Sequence, residues 1–243
     1  HDCPQGADQR GPAMSEAERK PLTYAEREAK ILELRAQHGE IEILELRPED
    51  ERSDAPPDCI APPVVVLRAM ALDAFVELQH LDSQRNQGVD FPSPRVITRP
   101  LLECVALGLD EAEAELVEAP MFEQDMMSAV ARLAGAMRED VSVEPVSEIH
   151  GKGPMKIAAA GVELEFKRMS SFDYSRARSE VGKHRAGLSG FLSPLALLAI
   201  VRNQAIDPQA CEALLKRYPA IVQPIGQILW VSADSRARRR QGK

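Results

Sequence analysis

The spacing of apolar residues divides the chain into a leader helix and two similar series of elements. Thr23-Tyr24-Ala25-Glu26 has the form of a capping box, in which hydroxyl and carboxylate satisfy free amides at a helix start. Ala25, Ala29, Leu32 and Ala36 then fall on one helical stripe that ends at His38-Gly39, predicting a helix that docks on a domain or a partner. Ile41 to Leu46 reads as a strand, the Pro-, Asp- and Ser-rich run from Arg47 to Pro63 as a long loop, and Val64 to Arg68 as a second strand. Further on, Met155 to Ala158 and Val162 to Lys167 flank Ala159-Ala160-Gly161, the pattern of a tight hairpin with Val162, Leu164 and Phe166 on one face.

Helical patterns follow both strand pairs. Ala71 to Leu81 has its counterpart in a helix opened by Ser170-Ser171 and carrying Tyr174 and Val181. Polar loops come next, then helices opened by Thr98-x-Pro100 and by Ser193-Pro194, where a proline in the first turn loses no hydrogen bond. Asp110 and Asp207-Pro208 each start a short helix that stops before Pro120 or Pro219. The last helices carry Phe122, Met126, Val130 and Leu133 in one series, and Ile221, Ile225, Ile228 and Leu229 in the other. Pro224 inside the second of these is expected to kink it.

The second series follows the first at an offset of 97 to 99 residues, which is the period of a duplicated domain rather than of a solenoid turn. The fold expected is α+β and mainly helical, with two repeated units, each a β-hairpin followed by about four short helices. Residues 1–13 read as a leader left by cloning or upstream read-through, 14–40 as the N-terminal helix, 41–137 as the first unit, 138–155 as a linker, 156–233 as the second unit and 234–243 as a basic tail.

Composition narrows the class. With 44% hydrophobic and 28% charged residues in 243, the chain has an ordinary globular make-up. The longest apolar stretch, Phe191 to Val201, is too short to cross a bilayer. The four cysteines lack metal or redox spacing, which suits a reducing intracellular setting. A net charge of −8 disfavours nucleic acid as a partner of the body. The tail, with Arg236, Arg238, Arg239 and Arg240, reads most simply as a solvated, frayed end.

No spacing of chemical groups points to catalysis. His80 and Cys104 are the one nucleophile-and-base pairing to weigh, and Cys104 lies on an apolar helical face where a thiol usually packs. Gly151-Lys152-Gly153 lacks the remainder of a phosphate loop and reads as linker. Glu111, Glu113, Glu115 and Glu118 complement a helix dipole. Catalytic, cofactor and metal residues are therefore left unassigned. Methionines cluster at Met121, Met126, Met127 and Met137; Met126 suits the core, while Met121 and Met127 cannot both turn inward with it. The candidate partner-binding residues are Met121, Met127, Tyr218 and Trp230.

A short strand leading into Leu-x-x-Met, a leucine-rich helix ending in Asp, and the run from Ala213 to Leu229 with its Arg217-Tyr218-Pro219-Ala220 turn together resemble the tail assembly chaperones of tailed bacteriophages. Glu118-Ala119-Pro120-Met121 keeps the turn weakly in the first series. The resemblance implies a non-enzymatic protein of the host bacterial cytoplasm. Its partners would be a tape measure protein and a tail tube protein, with self-association left open. The alternative from the same resemblance is a structural or adaptor component of a phage or phage-like tail.

Overall fold

The computed structural model describes residues 21–46, 50–52, 54–86, 101–102, 105–107, 120–136, 138–149, 153–170 and 193–241, with 172, 173, 176 and 179; for 84–86, 120–121 and 233–241 the backbone alone is described. In chain order the elements are helix α1 (Tyr24–His38), strands β1 (Ile41–Glu45) and β2 (Val64–Arg68), helix α2 (Leu72–Asn86), strand β3 (Ala106–Leu107) and helix α3 (Pro120–Leu133). Strands β4 (Val143–Pro145), β5 (Met155–Ala159) and β6 (Val162–Phe166) follow, then helices α4 (Pro194–Gln204) and α5 (Pro208–Arg217), a 3-10 turn at Pro219–Ile221, and helix α6 (Val222–Gln241). The molecule is mixed α and β, mainly helical, with two three-stranded antiparallel sheets. Among the described residues, no helix is long and apolar enough to cross a membrane.

The helix starts follow local chemistry. Ser193 Oγ accepts the Ala196 N–H at 3.3 Å, and Asp207 Oδ1 accepts those of Gln209 and Ala210 at 3.0 Å, so first-turn amides that lack partners inside the helix are satisfied. Each cap is followed by a proline in the first turn. Pro224 does not sit in a helix interior. The chain leaves the 3-10 turn at Val222, which places Pro224 in the first turn of α6, where its missing N–H removes no intrahelical bond and the expected kink has no cause.

In the first sheet β2 lies between β1 and β3, with Ile41 opposite Arg68 and Leu67 opposite Ala106. Because β2 is central, Val65, Val66 and Leu67 are all buried, Val65 and Leu67 on one face and Val66 on the other. In the second sheet, β5 and β6 are joined through Ala160 (φ 48°) and Gly161 (φ 75°), the pair of left-handed residues that a two-residue hairpin turn requires. Met155, Ile157, Leu164 and Phe166 face inward, while Val162 at the turn is exposed. The stretch expected to be linker supplies β4, which pairs with the other edge of β5; Pro145 is tolerated because β4 is an edge strand. After β6, the chain returns beside it in an antiparallel bridge between Phe166 and Ala205, flanked by bonds from Ile206 N–H to Glu165 C=O (2.9 Å) and from Lys167 N–H to Gln204 C=O (2.7 Å).

Buried side chains from both series meet in one cluster that includes Leu67, Met126, Phe166 and Leu229. The joint has polar stitching too. Arg202 on α4 donates to Asp73 on α2 (2.8 and 3.3 Å) and to Glu212 on α5 (3.0 and 2.9 Å), and the Ala220 N–H donates to the Ala134 C=O at 3.0 Å. Where α6 crosses α4, a Cβ placed on Gly226 would lie 2.8 Å from Leu197 Cβ, so the helices approach at a spacing only glycine allows.

Candidate functional site: an apolar cleft beneath the first helix

The first helix is held by its N-terminal end. Thr23 Oγ1 accepts the Glu26 N–H at 3.3 Å and Glu26 Oε2 accepts the Thr23 N–H at 2.9 Å, completing the capping box. Tyr24 and Ala25 donate their N–H groups to the carbonyls of Cys59 and Pro57, both at 3.0 Å, and Ala61 donates to Leu22 at 2.9 Å. The loop before β2 is thereby strapped to the start of α1. Arg27 clamps Glu51 with two bonds of 3.0 and 2.8 Å, reaches the Pro62 carbonyl at 3.1 Å, and lies 4.9 Å from the centre of the Tyr24 ring. The hydrogen bond from Arg27 holds the Glu51 carboxyl below its ordinary range, so the clamp is charged at neutral pH.

Beyond this anchor α1 stands off the sheet. No residue of α1 is fully buried, and a cleft of about 1060 Å³ lies beneath it. Ile31 and Leu34 line it from the helix; Val64, Val66 and Leu107 from the outer face of the first sheet; Ile60, Ala61, Pro62 and Pro63 from the loop. Asp50, Arg52 and Lys30 also line it, so an apolar trough is bordered by charges of both signs. Ile60 is 66% exposed there. Apolar walls with a few polar groups describe a surface that grips by burial and orients by charge.

The stripe expected to dock α1, Ala25, Ala29, Leu32 and Ala36, does not face the domain. All four residues are exposed, and the helix instead turns Arg27, Ile31 and Leu34 inward, because Arg27 is drawn to Glu51 and the helical spacing carries Ile31 and Leu34 with it.

Of the candidate partner-binding residues, Met127, Tyr218 and Trp230 do not line the cleft. Met127 is half-buried and packs against the core, as does Trp230. Tyr218 lies over Gly135, its Cδ1 3.0 Å from where a Cβ would stand, with the Arg138 and Arg217 guanidinium groups 5.8 and 5.2 Å from its ring. Much of that ring is engaged by its own chain. Met121 belongs to the backbone of α3, and its side chain lies outside the described residues, as do Cys104, Met137, Tyr174, Glu111, Glu113, Glu115, Glu118, residues 1–13 and the side chains of the basic tail. The backbone of that tail continues α6 as far as Gln241. His80 is buried in α2.

A second, shallower hollow of about 620 Å³ lies beside Arg202, Gln209, Glu212 and Lys216. Cys211 at its wall is buried, and desolvation by that burial, with Glu212 nearby, pushes its thiol up to about 11, which leaves it protonated and poorly nucleophilic at neutral pH. Among the described residues no group of three or more His, Cys, Asp or Glu side chains is placed to hold a metal ion. Comparison with known proteins adds no neighbour: no family model matches the chain, and no match emerges among curated proteins or solved structures.

Proposed function

We propose that this chain is a non-enzymatic tail assembly chaperone of a tailed phage or prophage, and that it holds apolar helical segments of a tape measure protein in the cleft beneath α1. The observation that carries the reading is the cleft itself: apolar residues of a helix, a sheet and a loop converge on an open trough that the described side chains leave unfilled. An amphipathic client helix presents apolar side chains at successive turns, and such a trough removes them from water. Burying one leucine-sized anchor is worth about 1.5–3 kcal/mol, so a few anchors suffice for a reversible grip. Reversibility suits a chaperone, which must leave its client.

The same reading takes the chain as two repeated units. Spacing supports it: the antiparallel partners Leu67 and Ala106 in the first series and Phe166 and Ala205 in the second stand 99 residues apart, position for position. A helical segment follows β2 as α2, and residues 172, 173, 176 and 179 are helical after β6.

Co-expression with the tape measure protein tests the function. The intact chain should keep the client in the supernatant, and Ile31→Asp with Leu34→Asp should return it to the pellet while circular dichroism stays unchanged. No gain of client solubility from the intact chain overturns the chaperone reading; an equal gain from the double variant removes the cleft from it. Mass spectrometry of finished particles separates a departing chaperone from a structural or adaptor component of the tail, which would remain in them.

A further inference from the structure

Four strand edges bound the two sheets, and three of them are blunted. Strand β3 is two residues long, β4 is three residues long and carries Pro145, and β6 is met by the returning chain at Ala205. The fourth edge is β1, five residues without proline, with β2 beside it, α3 on one face and α1 on the other. The Leu46 N–H donates to the Pro63 C=O at 3.3 Å, which makes Leu44–Val65 and Glu42–Leu67 the hydrogen-bonded pairs of the β1–β2 ladder. The N–H and C=O groups of Ile41, Ile43 and Glu45 therefore point away from β2. None of them has a partner among the described residues.

Turned end for end about Ile43, this edge is complementary to itself. A two-fold axis there sets Ile43 against Ile43 and Ile41 against Glu45, so every outward N–H of each copy meets an outward C=O of the other. Moving the axis to Glu42 or to Leu44 leaves Glu45 or Ile41 beyond the end of the partner strand, and the first choice also sets Glu42 directly against Glu42. With the axis at Ile43, no charged residue of β1 stands opposite another, since Glu42 faces Leu44 and Glu45 faces Ile41. The two Glu42 side chains are then diagonal neighbours, and each is already neutralised by an Arg132 that donates to both its oxygens at 3.0 Å.

We propose that β1 pairs antiparallel with β1 of a second copy of this chain about Ile43, joining the first sheets of the two copies into one. A second copy is favoured over an extended segment of another protein because its strand is already formed. A free segment gives up backbone freedom at every residue it adds, whereas β1 has lost that freedom on folding. A strand of five residues buries less than the roughly 1,600 Å² of a standard interface, so the pair forms in a concentration-dependent equilibrium. No β1 residue lines the cleft, so the pairing uses none of its walls.

Sedimentation equilibrium and amide hydrogen exchange of the full chain over a concentration series test this. The intact chain should move from monomer to dimer, and the amides of Ile41, Ile43 and Glu45 should gain protection in step with it, while that of Leu44, already bonded to β2, stays protected throughout. Ile43→Pro removes the central N–H without touching the β1–β2 ladder and should remain monomeric. Glu45 is exposed, so Glu45→Pro decides the matter if Ile43→Pro disturbs the circular dichroism; it removes one bond from each copy and should weaken the dimer about tenfold. A chain monomeric at every concentration overturns the proposal, as does a dimer whose three outward amides exchange as in the monomer, or one indifferent to both proline variants. Protection of those amides only on adding an extended client segment assigns the edge to that segment and overturns the second copy. Ile31→Asp with Leu34→Asp should leave the dimer intact, which separates this edge from the cleft.

Discussion

Gly226 is the residue whose replacement has the most readable consequence. The α4–α6 crossing leaves it 2.8 Å between an added Cβ and Leu197 Cβ, well inside ordinary contact, so Gly226→Ala must push two packed helices apart. Its better helix propensity gains at most about 1 kcal/mol, whereas overpacking costs about 1–3 kcal/mol, and a net loss is expected in urea unfolding. A stability equal to or above the parent's would mean the helices separate without cost. Gly135 makes a different demand. Its φ of 89° lies where side chains are strained, and the Tyr218 ring occupies the space beside it. That contact draws Tyr218 into the chain's own packing, and sequence reading had no means of finding it, since the two residues are brought together only by the folded whole.

Among the elements, the β5–β6 hairpin offers the cleanest single change. Ala160 holds a φ of 48° that alanine adopts at a cost of roughly 1–2 kcal/mol, and Asn-Gly is the pairing such turns prefer. Ala160→Asn should therefore stabilise the protein by about 0.5–1 kcal/mol, seen as a higher urea midpoint with an unchanged slope. A lower midpoint would show that the turn is held in this shape by its surroundings and not by local preference. This hairpin was legible in sequence because its signals sit within a few residues of one another. The caps at Thr23, Ser193 and Asp207 were legible for the same reason. The short β3 and the edge strand β4 were not, because each exists only through pairing with a distant strand. The orientation of α1 was ambiguous in principle: it has apolar residues on two faces, and the bond from Arg27 to Glu51, 24 positions along, decides which turns inward. The cleft needed Ile31, Ile60 and Leu107 together, and no local pattern links them.

At the scale of the whole molecule, the shared core means that neither series can lose its packing while the other keeps it. Far-ultraviolet circular dichroism and the fluorescence of Trp230, the only tryptophan, should therefore report coincident unfolding transitions. Two separated transitions would show that the series fold as independent domains. The bond from the Ala220 N–H to the Ala134 carbonyl extends this argument from equilibrium to time. Its donor belongs to the turn before the last helix and its acceptor to the end of α3, so that proton is protected only while these two distant stretches stay in contact. The Ala220 amide should exchange with deuterium at the rate at which this joint opens, and exchange as slow as global unfolding would show that the joint opens only with the entire molecule.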